Sequence, residues 1–215
     1  MNFIYGFLLL LGCFSITPGV YSVCSINEAP IDIKWVDMVG TCTKRLKDQV
    51  QLEISASMTY LAMSAHFARD SISRPGFSKF FSQAADEERE HAIKLIEYLL
   101  MRGDVTKNFQ QLLTFPLQVS SMTWADGAAA LKSALATEVD VTTNIRSIIK
   151  HCENPGANAK NDYHLVDWLT GDFLDEQYKG QRDLAGKYTT LQKMMDTYGP
   201  IGEFLFDKKL LNGEV

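Results

Sequence analysis

The chain has 215 residues, 46% hydrophobic and 22% charged, enough to bury one substantial core, so a single main domain is the default. Its 21 Lys and Arg stand against 26 Asp and Glu, a net charge of -5 with no basic stripe, which opposes a nucleic-acid-binding role. No apolar run is long enough to serve as a membrane anchor.

The first 22 residues carry no charged side chain, and Phe7 to Phe14 forms a short apolar block followed by Val20-Tyr21-Ser22, with small residues where cleavage prefers them. Residues 1–22 therefore read as a secretory signal, 23–34 as an N-terminal arm and 35–215 as the main domain. Secretion, or residence in the secretory lumen, follows, and the terminal Asn-Gly-Glu-Val is not a retention tetrapeptide. Loss of the signal discards Cys13 and leaves Cys24, Cys42 and Cys152, an odd number for an oxidising compartment. One cysteine is expected to bond outside its own chain; the plainer alternative is three free thiols. No Asn-x-Ser/Thr sequon is present, so N-glycosylation is not expected.

From Trp35 to about Arg69, apolar residues recur at three and four positions, which predicts a long amphipathic helix. Ser73-Arg74-Pro75-Gly76 stops it and leads into a second helix, Phe77 to Met101, that ends at Arg102-Gly103. The short turn makes the two antiparallel. Residues 103 to 122 lack periodicity and contain Pro116, and so long a connection suits a crossover running the length of a bundle. A third helix is predicted from about Trp124 to Cys152, ended by Asn154-Pro155-Gly156, and a fourth from about Tyr163 to Asp196. After Gly199-Pro200, a short fifth segment, Ile201 to Leu211, carries an apolar face too small to stand alone and is expected to pack in an assembly. The fold class is all-α: an up-down four-helix bundle with one long crossover and a short C-terminal helix.

Polar residues on these helices fall into a pattern. Glu88-x-x-His91 places a carboxylate and an imidazole on one side of the second helix, about 4.5 Å apart along its axis. Glu53 on the first helix, Glu138 on the third and Gln177 on the fourth complete a set of five on four helices. A carboxylate from each of two helices with Glu-x-x-His from the others is the di-iron pattern of such bundles. Here the fourth helix departs from it, with Gln177 for the second Glu and Gly180 for the second His, so the second metal position should be weakly held. Taken singly, each residue has an ordinary reading: Glu53 as solvated surface, Tyr60 as a core tyrosine anchoring its hydroxyl, Glu87 to Glu90 as a charged helix face. Together they point to a metal, and oxygen-rich ligands with one imidazole suit iron better than zinc. His66, His151 and His164 lack ligand spacing and read as surface or supporting residues.

With these motifs in hand, the chain resembles the ferritins, specifically the secreted heavy-chain-type subunits of insects, over nearly all residues after the signal. The resemblance rests on Tyr60-Leu61-Ala62-Met63, Asp86 to Ala92, Asn161 to Leu165, Asp175-Glu176-Gln177 and Glu203 to Lys208. It implies a ferritin-like di-iron domain in which Glu53, Glu88 and His91 hold one iron, and Glu88 bridges to a second held by Glu138. It also implies that Gln177 and Glu87 border the site and that Tyr60 stands beside it. By the same resemblance, two Fe(II) ions are oxidised by O2, and the Fe(III) product enters the cavity of a shell of about twenty-four subunits, with Glu90 aiding transfer.

Asp167 matches one acidic residue of the family's entry channel, while Thr170 replaces its acidic partner, so entry is expected to lean on Asp167 with another nearby group such as Asp172, or to use a different route. Ile93 stands where ferritins commonly have a further acidic residue. The antiparallel third helix should bring Cys152 to Cys42 in an intrachain disulfide, leaving Cys24 for an interchain bond. The resemblance points to a light-chain-type ferritin subunit as that partner, beside copies of this chain. Iron ions and O2 are the implied cofactors, with no nucleic acid and no membrane anchor. The competing reading is a non-catalytic structural subunit storing iron oxidised by other chains.

Overall fold

In the computed structural model, residues 37–103, 112–117, 119, 121–156 and 160–215 are described. The signal at 1–22, the arm at 23–34 and the cysteine at position 24 lie outside them.

The described chain forms α1 (Gly40–Ala68), α2 (Pro75–Met101), α3 (Gly127–Glu153), α4 (Tyr163–Trp168), a π-helical turn (Leu169–Phe173), α5 (Leu174–Tyr198) and α6 (Pro200–Asn212). The α4, π and α5 segments follow without a break, so they make one rod. The predicted four-helix bundle with a short C-terminal helix is therefore observed.

Boundaries differ where local chemistry decides them. The first helix starts at Gly40 rather than near Trp35, because Asp37 to Val39 are extended or irregular. The third starts at Gly127 rather than Trp124, because the Asp126 carboxylate accepts the Ala129 N–H at 2.7 Å and caps the helix there. Pro75 is the first residue of α2, where its missing N–H costs nothing.

Residue pairs show the topology. Cys42 meets Cys152, Gln49 bonds Asn144 and Tyr60 bonds Glu138, so numbers rise along α1 as they fall along α3. The two are antiparallel, and the predicted Cys42–Cys152 disulfide is formed, with Cα atoms 5.7 Å apart. Arg102, after α2, contacts Asp37 at one end of the bundle, whereas Gly127, opening α3, packs on Phe77 at the other. The connection thus crosses the full bundle length. Buried Leu112 and Leu113, and a bond from the Thr114 N–H to Gln51, fasten its described part to α1.

The π turn answers a problem of spacing. Leu165, Leu169, Phe173 and Gln177 are all buried, yet steps of four drift about 40° each around an ordinary helix. The wider i→i+5 turn absorbs that drift and keeps all four facing inward. Of the glycines in this rod, Gly171 falls inside the turn, whereas Gly180 and Gly186 sit within unbroken helix.

The C-terminal helix does more within its own chain than the sequence suggested. α6 lies against α2 and α5, burying Phe206 and Leu210, and the Asp207 carboxylate accepts the Phe77 N–H at 3.0 Å near the start of α2. A Cβ at Gly76 would lie 1.9 Å from the Asp207 carbonyl oxygen, so only glycine permits this approach. Ile201, Phe204 and Leu205 stay exposed on the outer side.

The core has two apolar halves. One, around the disulfide, contains Leu46, Val50, Leu95, Leu99, Val141, Ile145, Ile148 and Leu165. The other contains Met63, Phe67, Phe77, Phe81, Leu131, Leu184 and Phe206. Between them, on all four long rods, sits a band of buried polar groups.

Candidate metal centre

Glu53 comes from α1, Glu88 and His91 from α2, Glu138 from α3 and Gln177 from α5, and all five are buried. One ligand atom from each of Glu53, Glu88 and His91 lies within 4.8 Å of the other two. Glu138, Gln177 and Tyr60 join Glu88 and His91 around a cavity of roughly 200 Å³, with Glu87 and Glu176 at its side.

Hydrogen bonds hold the carboxylates from behind. Gln49 Nε2 donates to Glu53 Oε1 at 2.6 Å, and the Tyr60 hydroxyl donates to Glu138 Oε1. Thr142 Oγ1 donates to Gln177 Oε1 at 2.8 Å, while Gln181 donates to Thr142 and to the Glu138 carbonyl. Three atoms have no hydrogen-bond partner: Glu53 Oε2, Glu88 Oε2 and His91 Nδ1 are buried and unbonded, the last lying 3.6 Å from Glu88 Oε1. Leaving such atoms bare costs about 1–3 kcal/mol each, more for charged groups. A hard cation bound among them would satisfy all three, and two carboxylates with one imidazole fit iron.

Electrostatics say the same. Burial, then the charge of Glu88, pushes the Glu53 carboxyl well above its ordinary 4.5. Burial, then Glu138, pushes Glu88 up to about 8, and burial also raises Glu138. A group raised in the folded state contributes stability that is fully present below its unfolded value and is lost as pH rises through its folded value. For Glu88 that window runs from 4.5 to about 8, so the metal-free protein should lose stability as pH rises across it. Bound metal displaces the same protons. Affinity for a redox-inert divalent ion such as Zn(II) is expected to weaken by about tenfold per pH unit below the folded-state value of about 8 for each proton displaced. Calorimetry in two buffers of different ionisation enthalpy checks this, and zero proton release would exclude the carboxylates as ligands.

The other predicted residues fall around this centre. Glu87 borders the cavity but is largely exposed, Ile93 is exposed, and Glu90 and Asp167 are exposed and line neither this cavity nor the groove beside it. Thr170 is exposed and donates to the Val166 carbonyl. Asp172 lies with Glu97 and Glu176 in a groove of roughly 580 Å³ along α2 and the π turn. His66, read as a surface or supporting residue, is buried beside Phe67 and Trp124, and burial lowers its pKa. His164 is exposed yet meets the Tyr98 hydroxyl at 2.8 Å.

Glu176 was missed by sequence reasoning. Its carboxylate lies 3.4 Å from His91 Nε2 and 3.3 Å from Lys94, and partial burial is outweighed by these two neighbours, which hold its pKa low. The supporting groups carried a signal: Gln49, Thr142 and Gln181 each stand four residues from Glu53, Glu138 and Gln177, hence on the same helix face.

Comparison with known proteins agrees with the fold. A family model described as a ferritin-like domain matches residues 43–194. The chain is 52% identical over 198 residues to the ferritin heavy chain of Trichoplusia ni, covering 92% of each. It is 52% identical over 203 residues to the ferritin heavy chain of Drosophila melanogaster, covering 94% of this chain and 97% of that one. The crystal structure of Trichoplusia ni secreted ferritin matches with a TM-score of 0.82 and 53% identity, over 89% of this chain and 99% of that one.

Proposed function

The chain belongs to the ferritin family, and from that premise we propose that it is a ferroxidase and iron-storage subunit of a secreted shell. It oxidises Fe(II) to Fe(III) with O2 at a di-iron centre inside its own bundle. The supporting observation is the buried Glu53, Glu88 and His91 set, which brings one ligand atom of each within 4.8 Å of the others and leaves an atom of each without a hydrogen bond.

On this reading Glu53, Glu88 and His91 bind the first Fe(II), and Glu88, the member shared with the cavity that Glu138 lines, bridges to the second. Tyr60 fixes the Glu138 carboxylate. Gln177 and Glu87 border the second position, where an amide in place of a carboxylate binds iron weakly and lets the product leave for the cavity, with Glu90 on the way. Two Fe(II) ions give two electrons to O2, which with two protons leaves as hydrogen peroxide. Ferric mineral then collects inside a shell of twenty-four subunits or thereabouts, built from copies of this chain and light-chain-type partners. Residues 1–22 direct secretion, 23–34 form an arm whose cysteine at 24 bonds a partner chain, and 35–215 form the ferritin-like domain. Iron enters past Asp167 and Asp172.

The retained ligand set speaks against the alternative of a purely structural subunit, which has no need to bury three carboxylates. Anaerobic titration of the purified shell with Fe(II) should saturate at two ions per subunit of this type before air is admitted, and oxygen uptake should follow at one O2 per pair. Uptake without a saturable step would overturn the intrasubunit centre.

A further inference from the structure

Beyond the ligand set, a line of aromatic rings leads away from the metal cavity. His91 is 5.8 Å, centre to centre, from Phe173, Phe173 is 5.0 Å from Trp168, and Trp168 is stacked on Tyr98 at 4.1 Å and 18°. His91 and Trp168 are thus no farther apart than the first two separations together allow, a span electrons tunnel readily. The line ends in a proton acceptor. The buried Tyr98 oxygen accepts from Arg102 Nη1 at 2.7 Å and lies 2.8 Å from His164 Nδ1, and in the His164 tautomer that carries its proton on Nε2 the hydroxyl hydrogen is directed at Nδ1. Arg102 is in turn paired with Asp162 and Asp37, which balance its charge. A tyrosine that only filled space would need one partner for its hydroxyl. Here it has a fixed cation on one side and a basic imidazole on the other, with a stacked indole beneath.

We propose that Trp168 and Tyr98 form a radical relay, with His164 as its proton acceptor, that supplies an electron to the metal centre when peroxide meets a single Fe(II) there. The relay rests on the reading above only in that Fe(II) occupies the Glu53, Glu88 and His91 set; the peroxide is the product of the oxidase reaction. Cleaving the O–O bond of H2O2 to two waters takes two electrons and two protons. One Fe(II) gives one electron, and with no second source a hydroxyl radical escapes. Trp168 gives the second and is refilled by Tyr98, whose hydroxyl proton passes to His164 Nδ1. The products are Fe(III), two waters and a neutral tyrosyl radical, with the protons for water drawn from solvent. Burial keeps the Tyr98 hydroxyl protonated, at about 12, despite the Arg102 bond that favours its ionisation, so the proton leaves only with the electron. The groove of roughly 580 Å³ that Tyr98, Trp168 and Phe173 wall gives small reductants access to regenerate the tyrosine.

The test is to load the assembled shell anaerobically with one Fe(II) per subunit, add hydrogen peroxide, freeze-quench and record electron paramagnetic resonance, with a spin trap in parallel samples. Wild type should show a tyrosyl signal that is mostly lost in Tyr98→Phe, with several-fold more trapped hydroxyl radical. Trp168→Phe, which keeps an aromatic ring, should delay the signal and raise the leak, and serves as the independent variant if Tyr98→Phe assembles poorly. An undiminished signal in Tyr98→Phe, or one abolished by Tyr60→Phe alone, overturns the relay. Because peroxide is added directly, a wild type that shows the Tyr98 signal but oxidises Fe(II) slowly with O2 supports the relay while overturning the ferroxidase reading.

Discussion

Glu88→Ala should lose rapid Fe(II) oxidation, by on the order of a hundredfold, the upper end of what removing a single metal-orienting group costs. Glu88 belongs to the close ligand group with Glu53 and His91 and also lines the cavity shared with Glu138, so one substitution strips both metal positions. The fold should survive it. Glu88 is a buried carboxylate with an unbonded oxygen, raised to about 8 by burial and then by Glu138, and removing it relieves repulsion in the metal-free protein. Glu88→Gln, closer in shape, should be at least as stable as wild type above neutral pH and just as slow. Stopped-flow oxidation beside thermal unfolding separates the two effects. Equal, slow oxidation in wild type and both variants would make the centre idle and the chain a structural storage subunit.

The second large effect concerns the disulfide. Cys42 and Cys152 are wholly buried at the end of the bundle farthest from α6 and close a loop with a sequence separation of 110. Cross-linking so long a loop removes much of the unfolded chain's freedom, worth about 3 to 5 kcal/mol if the chain-entropy account holds. The Cys42→Ala, Cys152→Ala pair should therefore lower the melting temperature by on the order of 10 °C. Iron oxidation at 25 °C should hardly change, because Glu53 lies eleven residues along α1, about 16 Å from Cys42. A melting temperature equal to that of wild type would show that the bond contributes nothing to the native shell. Slowed oxidation would show that the two halves of the core are coupled through the polar band.

Much of the site was legible because helical periodicity maps sequence spacing onto one face. Glu88 and His91 are three apart on α2, and that alone places them together. Glu53 stood among apolar neighbours, which marks an inward position on an amphipathic helix, whereas Glu138, near Asp140, and Gln177, after Asp175-Glu176, were marked only by completing the set on four helices. The supporting residues Gln49, Thr142 and Gln181 obey the same rule at four residues, but glutamine and threonine are common on any helix, so spacing without chemistry left them unremarked. For His66 the choice between surface and supporting stayed open, because one polar residue on a helix does not reveal what it faces; the Trp124 ring that covers it arrives from the far end of the crossover.

By itself the amino-acid sequence determined the number and order of the long helices, their inward faces, the crossover and the candidate ligand set, all properties of a repeating local geometry. Only the tertiary structure decided three other things. Glu176 reaches His91, because the π turn sets where the fourth rod faces and no local pattern announces that turn. α6 is locked onto its own chain, because Asp207 meets α2 at a glycine more than a hundred residues away in sequence. The aromatic line from His91 to Tyr98 exists because α2 and the fourth rod lie side by side. Contacts between elements depend on register and approach, and these are settled by packing rather than by the order of residues along either helix.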